Sequence, residues 1–247
     1  MHNAMWTAVT GSVFQMRRLD VIANNIANVN TVGFRGDRMD FSSYLAQIRQ
    51  REFTPYRRQL NDISELIHTR TNFQPGMIVS TGNPLDLAMV GRGFFVVDGP
   101  NGPLYTRAGN FQIDETGQLT TADGLTVQGE NGPIRLREGL PFEITPEGAV
   151  FQEDTEVGRL RLVEIENPET MVKIGRGRFR STQVTRVSEA EQREIMPNSL
   201  EGSNINLIRE MTNLIQAGRA FESYQKIISM INNVNQQANS KLAQIGG

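Results

Sequence analysis

The stretch Gly93-Phe94-Phe95-Val96-Val97-Asp98 decides the fold of the middle of the chain. Four consecutive apolar residues, bounded by glycine and aspartate, predict a short buried strand. A turn rich in Gly and Pro follows at 99–103, and Leu104-Tyr105-Thr106-Arg107 predicts a second strand after that turn. The pattern therefore indicates an antiparallel hairpin.

The same alternation continues towards the C-terminus. Residues 110–114 alternate, Glu115-Thr116-Gly117 predicts a turn, and Asp123-Gly124 predicts a tight hairpin turn between two further strands. Turn signals at intervals of about eight to twelve residues are typical of an antiparallel meander. Additional strands are expected at 142–145, 149–152 and 160–166.

Outside this region the period changes to that of a helix. Apolar positions near the N-terminus alternate steps of four and three, which is a heptad seam with a polar centre. The seam ends where Asn and Gly favour a turn. Its members are Met1, Met5, Ala8, Ser12, Gln15, Leu19, Ile22, Ile26 and Val29.

A second helix is expected from about residue 201 almost to the C-terminus, with Ser203 or Asn204 as its cap. Its seam slips by one short step after Phe221, which is a stammer in a coiled coil. A helix of this length, roughly 60 Å, needs partners for its apolar stripe, and the N-terminal helix is one candidate. The seam comprises Leu207, Met211, Leu214, Gly218, Phe221, Tyr224, Ile228, Ile231, Asn235, Ala238, Leu242 and Ile245.

The predicted fold class is therefore α+β, with long terminal helices that form a coiled-coil-like stem and a central antiparallel β domain. The helices and the β domain are joined by two polar, Arg-rich segments that are interpreted as extended connectors. The expected boundaries are 1–34 for the N-terminal helix and its loop, 35–75 for the first connector, 76–169 for the β domain, 170–200 for the second connector and 201–247 for the C-terminal helix.

Composition excludes several classes of function. The chain of 247 residues has a net charge of −2 and no cysteine, so thiolate metal sites, disulfides and cysteine nucleophiles are excluded, and nothing favours nucleic acid as a partner. The N-terminus has no secretory signal, and no apolar run is long enough for a transmembrane helix. If the protein leaves the cytoplasm, we expect a route that removes no signal peptide.

Catalytic and cofactor motifs are also missing. The two histidines, His2 and His68, cannot build a histidine-rich metal site, and a Ser-His-Asp triad has few ways to form. Gly91-Arg92-Gly93 and Gly175-Arg176-Gly177 lack the rest of a dinucleotide or phosphate loop, so they are interpreted as turns. The acidic run at 153–156 is interpreted as a solvated turn. No enzymatic activity, cofactor, metal or small-molecule substrate is therefore expected.

Three blocks of sequence resemble the flagellar rod and hook protein family. Ala23 to Arg35 resembles its N-terminal signature, and Glu201 to Asn206 with Glu210-Met211 and Arg219 to Glu222 resembles its C-terminal signature. Residues 91–97, 105–111 and 117–119 are similar to its β-domain core. The blocks occur in the family's order and cover both ends and the middle of the chain.

The resemblance implies a structural subunit that the flagellar type III apparatus exports without signal cleavage. Such a subunit would polymerise helically in the rod of the basal body, which spans the periplasm, together with other axial proteins. The opening residues, the length and the glycine-free segment 44–70 favour a rod subunit of the proximal type, with a distal-rod or hook-type subunit as the alternative. A secreted β-rich binding module with helical stalks and a cell-wall hydrolase are two further hypotheses.

The expected assembly interface follows from the two seams and the signature. The four asparagines between residues 24 and 30 have two interpretations: a helix end with local backbone bonding, or amide bridges between neighbouring subunits. The residues expected at the interface are Leu19, Ile22, Asn25, Ile26, Asn28, Val29, Leu207, Met211, Leu214, Phe221, Ile228 and Ile231. Asn30, Gly33 and Phe34 are expected to form the signature turn.

Overall fold

The computed structural model describes residues 2–39, 69–137, 139–182, 187–189 and 194–245. The chain divides into two compact units. The first contains both terminal segments and residues 37–70; the second contains Asn28–Gly36 and Thr71–Ile205. The fold class is α+β, as the sequence predicts, with a helix at each end and antiparallel strands between them.

The first unit is built on two long helices that pack against each other, α1 (His2–Ala27) and α2 (Leu207–Ile245). Asn206 caps α2, because its Oδ1 accepts a hydrogen bond from the Arg209 N–H at 3.0 Å. The cap expected at Ser203 or Asn204 therefore lies two or three residues later than predicted. The unit also contains β1 (Asp37–Met39), which pairs with β2 (Thr69–Thr71).

The second unit is a set of short antiparallel strands and one 3₁₀ turn at Pro168–Thr170. Its strands are β3 (Ile78–Ser80), β4 (Leu87–Met89), β5 (Gly93–Gly99), β6 (Gly102–Thr106), β7 (Phe111–Ile113), β8 (Leu119–Thr121), β9 (Gln128–Gly129), β10 (Gly132–Pro133), β11 (Phe142–Ile144), β12 (Ala149–Gln152), β13 (Thr155–Arg159), β14 (Leu162–Ile165), β15 (Val172–Gly175), β16 (Arg178–Arg180), β17 (Val187–Glu189), β18 (Ile195–Pro197) and β19 (Ser199–Glu201).

The largest sheet has six strands in the order β15-β16-β6-β5-β14-β17, so the predicted strand β5 lies inside it. Alternate side chains of β5 enter two different hydrophobic clusters. Phe95 and Val97 join the larger cluster, while Phe94 and Val96 join a smaller one with Phe179. This two-sided burial explains why the strand is a continuous apolar run rather than an alternating one.

Several predicted turns are present. Gly124 has φ +80° and its N–H donates to the Thr121 carbonyl at 2.9 Å, which closes the expected hairpin turn. Glu153 and Asp154 form the turn between β12 and β13, with φ of 50° and 63°. The expected turn is therefore present at Glu153-Asp154, but the third acid, Glu156, lies in β13 rather than in the turn.

The second Arg-rich segment differs from the extended connector expected at 170–200. It contributes β15 to β19, and Phe179 of β16 is fully buried opposite Tyr105 of β6. The sequence does not reveal these strands, because they are short and polar and β16, β18 and β19 pair with strands far away in the chain. Of the first connector, 40–68 lies outside the described residues. None of the described helices is long and apolar enough to cross a membrane.

Candidate functional site

Three ionised side chains meet inside the second unit, and each comes from a different part of the sequence. Arg35 Nη2 lies 2.7 Å from Glu201 Oε1, and Arg107 Nη1 donates to Glu201 Oε2 at 3.2 Å. The exposed fractions of the three side chains are between 0 and 3%. Glu201 Oε1 also accepts a hydrogen bond from the Gly76 N–H at 2.7 Å. We call Arg35, Arg107 and Glu201 the charged triplet.

The triplet holds two positive charges and one negative charge, so backbone carbonyls must compensate the excess positive charge by accepting hydrogen bonds from the guanidinium groups. Burial lowers the pKa of Arg107 to about 10, while Glu201 opposes that change and Arg35 adds to it. Arg107 therefore stays charged at neutral pH. The accepting carbonyls are those of Gln74 at 2.9 Å from Arg35 Nη1, Met89 at 3.2 Å from Arg107 Nη1 and Gly91 at 2.6 Å from Arg107 Nη2.

Asn204 joins three chain segments next to the triplet. Its Oδ1 accepts from the Gly36 N–H at 2.8 Å, and its backbone N–H donates to the Phe34 carbonyl at 3.3 Å. Its Nδ2 donates to the carbonyls of Asn72 and Gln74 at 2.8 and 2.9 Å. The side chain thus uses both amide hydrogens and its oxygen to satisfy backbone groups of two segments that lie outside the strands.

Gly33 brings the N-terminal signature against the other two motifs. Its N–H donates to the Glu201 carbonyl at 2.7 Å, and its φ is +65°. A Cβ at this position would lie 2.4 Å from backbone atoms of Arg107 and Ala108. Glycine is required here both for the left-handed backbone and for this close approach.

The ring of the neighbouring Phe34 contacts the ammonium group of a lysine. Lys173 Nζ lies 4.1 Å from the centroid of the Phe34 ring and donates to the Arg35 carbonyl at 2.6 Å. One of the three lysines of the chain therefore covers the signature turn from β15.

Together these contacts form a junction, which we define as the charged triplet with Gly33, Phe34 and Asn204. The triplet is enclosed by carbonyls and buried from water, so it offers no open position for a substrate. Among the described residues no group of acids or histidines is arranged to hold a metal ion. The arrangement suits a structural tie between the two terminal signatures and the β sheet.

The first unit has its own contacts along the predicted seam. A Cβ on Gly11 would lie 2.5 Å from the Tyr224 ring, and Gln225 Nε2 donates to Ser12 Oγ at 3.0 Å. The small and polar residues at the centre of the α1 seam therefore allow α2 to approach closely.

Asn25 is buried and bonded within the chain. Its Nδ2 donates to the Asp37 carbonyl at 2.9 Å, and its Oδ1 accepts from the Asp37 N–H at 3.0 Å. Both polar atoms of this amide are therefore bonded within the chain, to a residue twelve positions later.

The residues expected at an assembly interface are distributed between the two units. Ile22 and Asn25 are buried in the first unit and Gly33 and Phe34 in the second. Met211 is exposed, as is Asn30. The half-buried residues are Leu19, Ile26, Asn28, Val29, Leu207, Leu214, Phe221, Ile228 and Ile231.

Sequence reasoning did not assign the roles of Arg35, Arg107, Glu201 and Asn204, although each lies within a quoted motif. A signal was available for Glu201, since it is a single acid at the end of an otherwise uncharged segment, 195–200. Nothing in the local pattern indicates that its partners lie 94 and 166 positions earlier.

Comparison with known families matches three segments. Residues 5–35 match the family "Flagella basal body rod protein", residues 88–175 match "Flagellar hook protein FlgE/F/G D1 domain" and residues 196–241 match "Flagellar basal body rod FlgEFG protein C-terminal". The first and third matches include Arg35 and Glu201, and the second includes Arg107. The charged triplet therefore links all three matched segments.

Whole-chain relatives are similar over nearly their full length. The chain is 32% identical to the flagellar basal-body rod protein FlgF of Caulobacter vibrioides, over 99% of this chain and 100% of the relative. It is 32% identical to the rod protein FlgG of Bacillus subtilis, over 96% and 98%, and 31% identical to FlgF of Rhizobium meliloti, over 90% of each. The chain therefore belongs to the flagellar basal-body rod protein family.

Proposed function

We propose that this protein is a structural subunit of the bacterial flagellar basal-body rod and has no enzymatic activity. Similarity to rod proteins along almost the whole chain carries this proposal. The junction supports it, because buried charges that tie three segments together suit a mechanical part better than a catalyst. A binding module with helical stalks would not account for the ordered family segments.

The subunit self-associates helically through its terminal helices and contacts other axial proteins of the flagellum. The packing of α1 on α2 supports a coiled-coil-like stem, since it half-buries the expected seam residues of α2 and leaves further apolar surface of that helix exposed. In this proposal the expected interface residues of α1 and α2 contact helices of neighbouring subunits.

The rod position is of the proximal, FlgF type. The support for this comes from sequence, because 44–70 contains no glycine and 232–239 is rich in Gln and Asn. The relatives include both FlgF and FlgG proteins at similar identity, so the distal type is the second candidate. The protein reaches the rod through the flagellar type III apparatus, without signal cleavage.

Purified basal bodies and a deletion strain test this function. We expect the protein in the basal-body fraction, with an intact Met1 in its N-terminal peptide by mass spectrometry. The deletion strain should lack a complete rod and should regain motility with the wild-type gene. A motile deletion strain with normal basal bodies would contradict the proposal, and antibody labelling along the rod separates the proximal from the distal type.

A further inference from the structure

Helix α2 carries two groups of apolar side chains that remain exposed in the single chain. The first patch is Ile208, Met211 and Ile215, and the second patch is Ile227, Met230 and Val234. Their exposed fractions are between 40 and 78%. Scattered exposed apolar residues need no explanation, but three at helical spacing form a contiguous surface.

The two patches repeat one pattern. In each, steps of three and four residues separate the members, and nineteen residues separate each member from its counterpart. At 100° per residue, the first patch lies about 90° to one side of the half-buried residues Leu207, Leu214 and Phe221, the local part of the predicted seam. The second patch lies about 90° to the opposite side of its own local seam, Tyr224, Ile228 and Ile231. The stammer in the seam explains why identical spacings end on opposite flanks.

We propose that the first patch of one subunit packs against the second patch of the next copy, with parallel α2 helices displaced by nineteen residues. This displacement is about 28 Å along the helix axis. The inference rests on the proposed rod function. A second copy of the chain is the partner that fits these patches. Each chain carries both halves of the contact, and the halves lie on opposite sides of the local seam. One straight helix of another protein could therefore not cover both patches.

The order of the steps favours the parallel arrangement. A parallel shift of nineteen residues superimposes every member of the first patch on a member of the second, 208 on 227, 211 on 230 and 215 on 234. An antiparallel register that sets Ile208 against Val234 would set Met211 against Ile231 instead of Met230.

This contact is heterologous, since it joins two different surfaces. A heterologous contact leaves one unused patch at each end of an open oligomer, so growth continues unless the rotation between copies closes a ring. Two copies related by a two-fold axis would instead close into a dimer and stop.

Complementation between two variants tests the pairing. Ile215→Asp disables the first patch and Met230→Asp disables the second, and both positions are exposed in the single chain, so circular dichroism should be unchanged. Each variant alone should lower the sedimenting fraction by about tenfold or more, because a carboxylate without a partner opposes burial of the patch. An equimolar mixture should form a two-chain species by multi-angle light scattering, since one intact contact remains between the variants.

Other outcomes overturn the proposal. A dimer formed by either variant alone would mean that like patches pair. Normal assembly of both variants would show that the patches are not part of the interface. Asn232→Asp adds the same charge on the other side of α2 from the second patch and should assemble normally. A wild-type protein that never assembles would instead contradict self-association, and with it the proposed function.

Cross-linking tests the register directly. The chain has no cysteine, so Met211→Cys and Met230→Cys introduce unique thiols. In wild-type-like assemblies that contain both variants, disulfides should join the thiol at 211 of one chain to that at 230 of another. Predominant links between two thiols at 211, or between two at 230, would overturn the staggered parallel arrangement.

Discussion

At the scale of single residues, the Glu201 carboxylate serves two guanidinium groups in a site without water access. Buried ion pairs often contribute little net stability compared with apolar residues, but removal of one partner leaves the others desolvated and unpaired. The second unit, which contains most of the strands, is called the β unit below. We therefore expect Glu201→Gln to lower the free energy of unfolding of the β unit by about 3–5 kcal/mol, measured by urea denaturation. Gln keeps the shape of the side chain, so the loss reports the charge.

A matched control is available on the surface. Glu156 pairs with Arg159 at 3.2 Å, but both side chains are more than one third exposed. Glu156→Gln should cost less than about 1 kcal/mol, because solvent screens an exposed pair. Equal effects of the two substitutions would show that burial does not give the charged triplet its importance.

The turn glycine Gly124 allows a separate prediction. No atom lies within 4 Å of where its Cβ would be, so a side chain meets no obstacle and only the positive φ opposes it. Gly124→Val should destabilise the β unit by about 1–3 kcal/mol in a thermal or chemical melt. Gly124→Asn should cost less, since asparagine tolerates this conformation better. An unchanged melt for the valine variant would contradict the strain argument.

The hydrogen bonds to Asp114 predict that the stability of the fold depends on pH. The Thr116 hydroxyl and the backbone N–H groups of Gln118 and Thr116 donate to this carboxylate, which lowers the pKa of Asp114 below its ordinary 3.8. A carboxylate with a lowered pKa stabilises the fold above its unfolded pKa, and this stability is lost as pH falls through the folded value. Asp114→Asn should therefore melt below wild type at neutral pH, and the gap should narrow below pH 3.8. A gap independent of pH would contradict a role for the charge.

At the scale of elements, α1 and α2 pack closely where Gly11 and Ser12 lie against Tyr224 and Gln225. Ile22 of α1 is buried in the single chain. We expect Ile22→Asp to prevent polymerisation, because an unpaired carboxylate would be buried in every subunit. Because Ile22 is buried, the substitution should also weaken the packing of α1 on α2 in the single chain. Sedimentation under assembly conditions measures the first effect, and the helical signal in circular dichroism measures the second.

The control for this prediction is Arg17→Asp, at an exposed position of α1. It should leave the helical signal unchanged and should be tolerated better in assembly. The β unit should melt normally in both variants. Rods formed by Ile22→Asp would show that α1 does not contribute the polymerisation surface.

At the scale of the whole molecule, the junction changes the expected limits of a stable core. The second unit includes Asn28–Gly36 and extends to Ile205, beyond the 76–169 range expected from sequence. We predict that the two terminal helices unfold more readily than the second unit in the soluble monomer, so limited proteolysis should remove both helices first. The remaining core should keep Arg35 and Glu201, with terminal cuts nearer 27 and 206 than 35 and 200.

Mass spectrometry of the digest identifies the cut sites. Glu201→Gln serves as a comparison, because a weakened charged triplet should expose the signature segments and shift the cuts inwards. Equal resistance along the whole wild-type chain would contradict the idea that the two helices are the least stable part of the monomer.

The sequence by itself determined the elements whose signal is local. The helical seams, the apolar run of β5 and the turn at Asp123-Gly124 depend on residues close together in the chain, where spacing reports burial directly. It also determined the family, because the signature blocks are continuous stretches. The strands β16 to β19 were not predictable in this way, since their pairing partners β6, β14, β4 and β3 lie elsewhere in the chain.

Only the tertiary structure decided what the signature residues do. Arg35, Arg107 and Glu201 are distant in sequence, and an arginine in a polar segment has the same local pattern whether it is solvated or buried. Likewise, both patches of α2 belong to one apolar helix in the sequence, and the fold selects which side packs on α1 and which stays exposed. Burial of charge and exposure of apolar surface depend on distant neighbours, and those neighbours are fixed only when the chain folds.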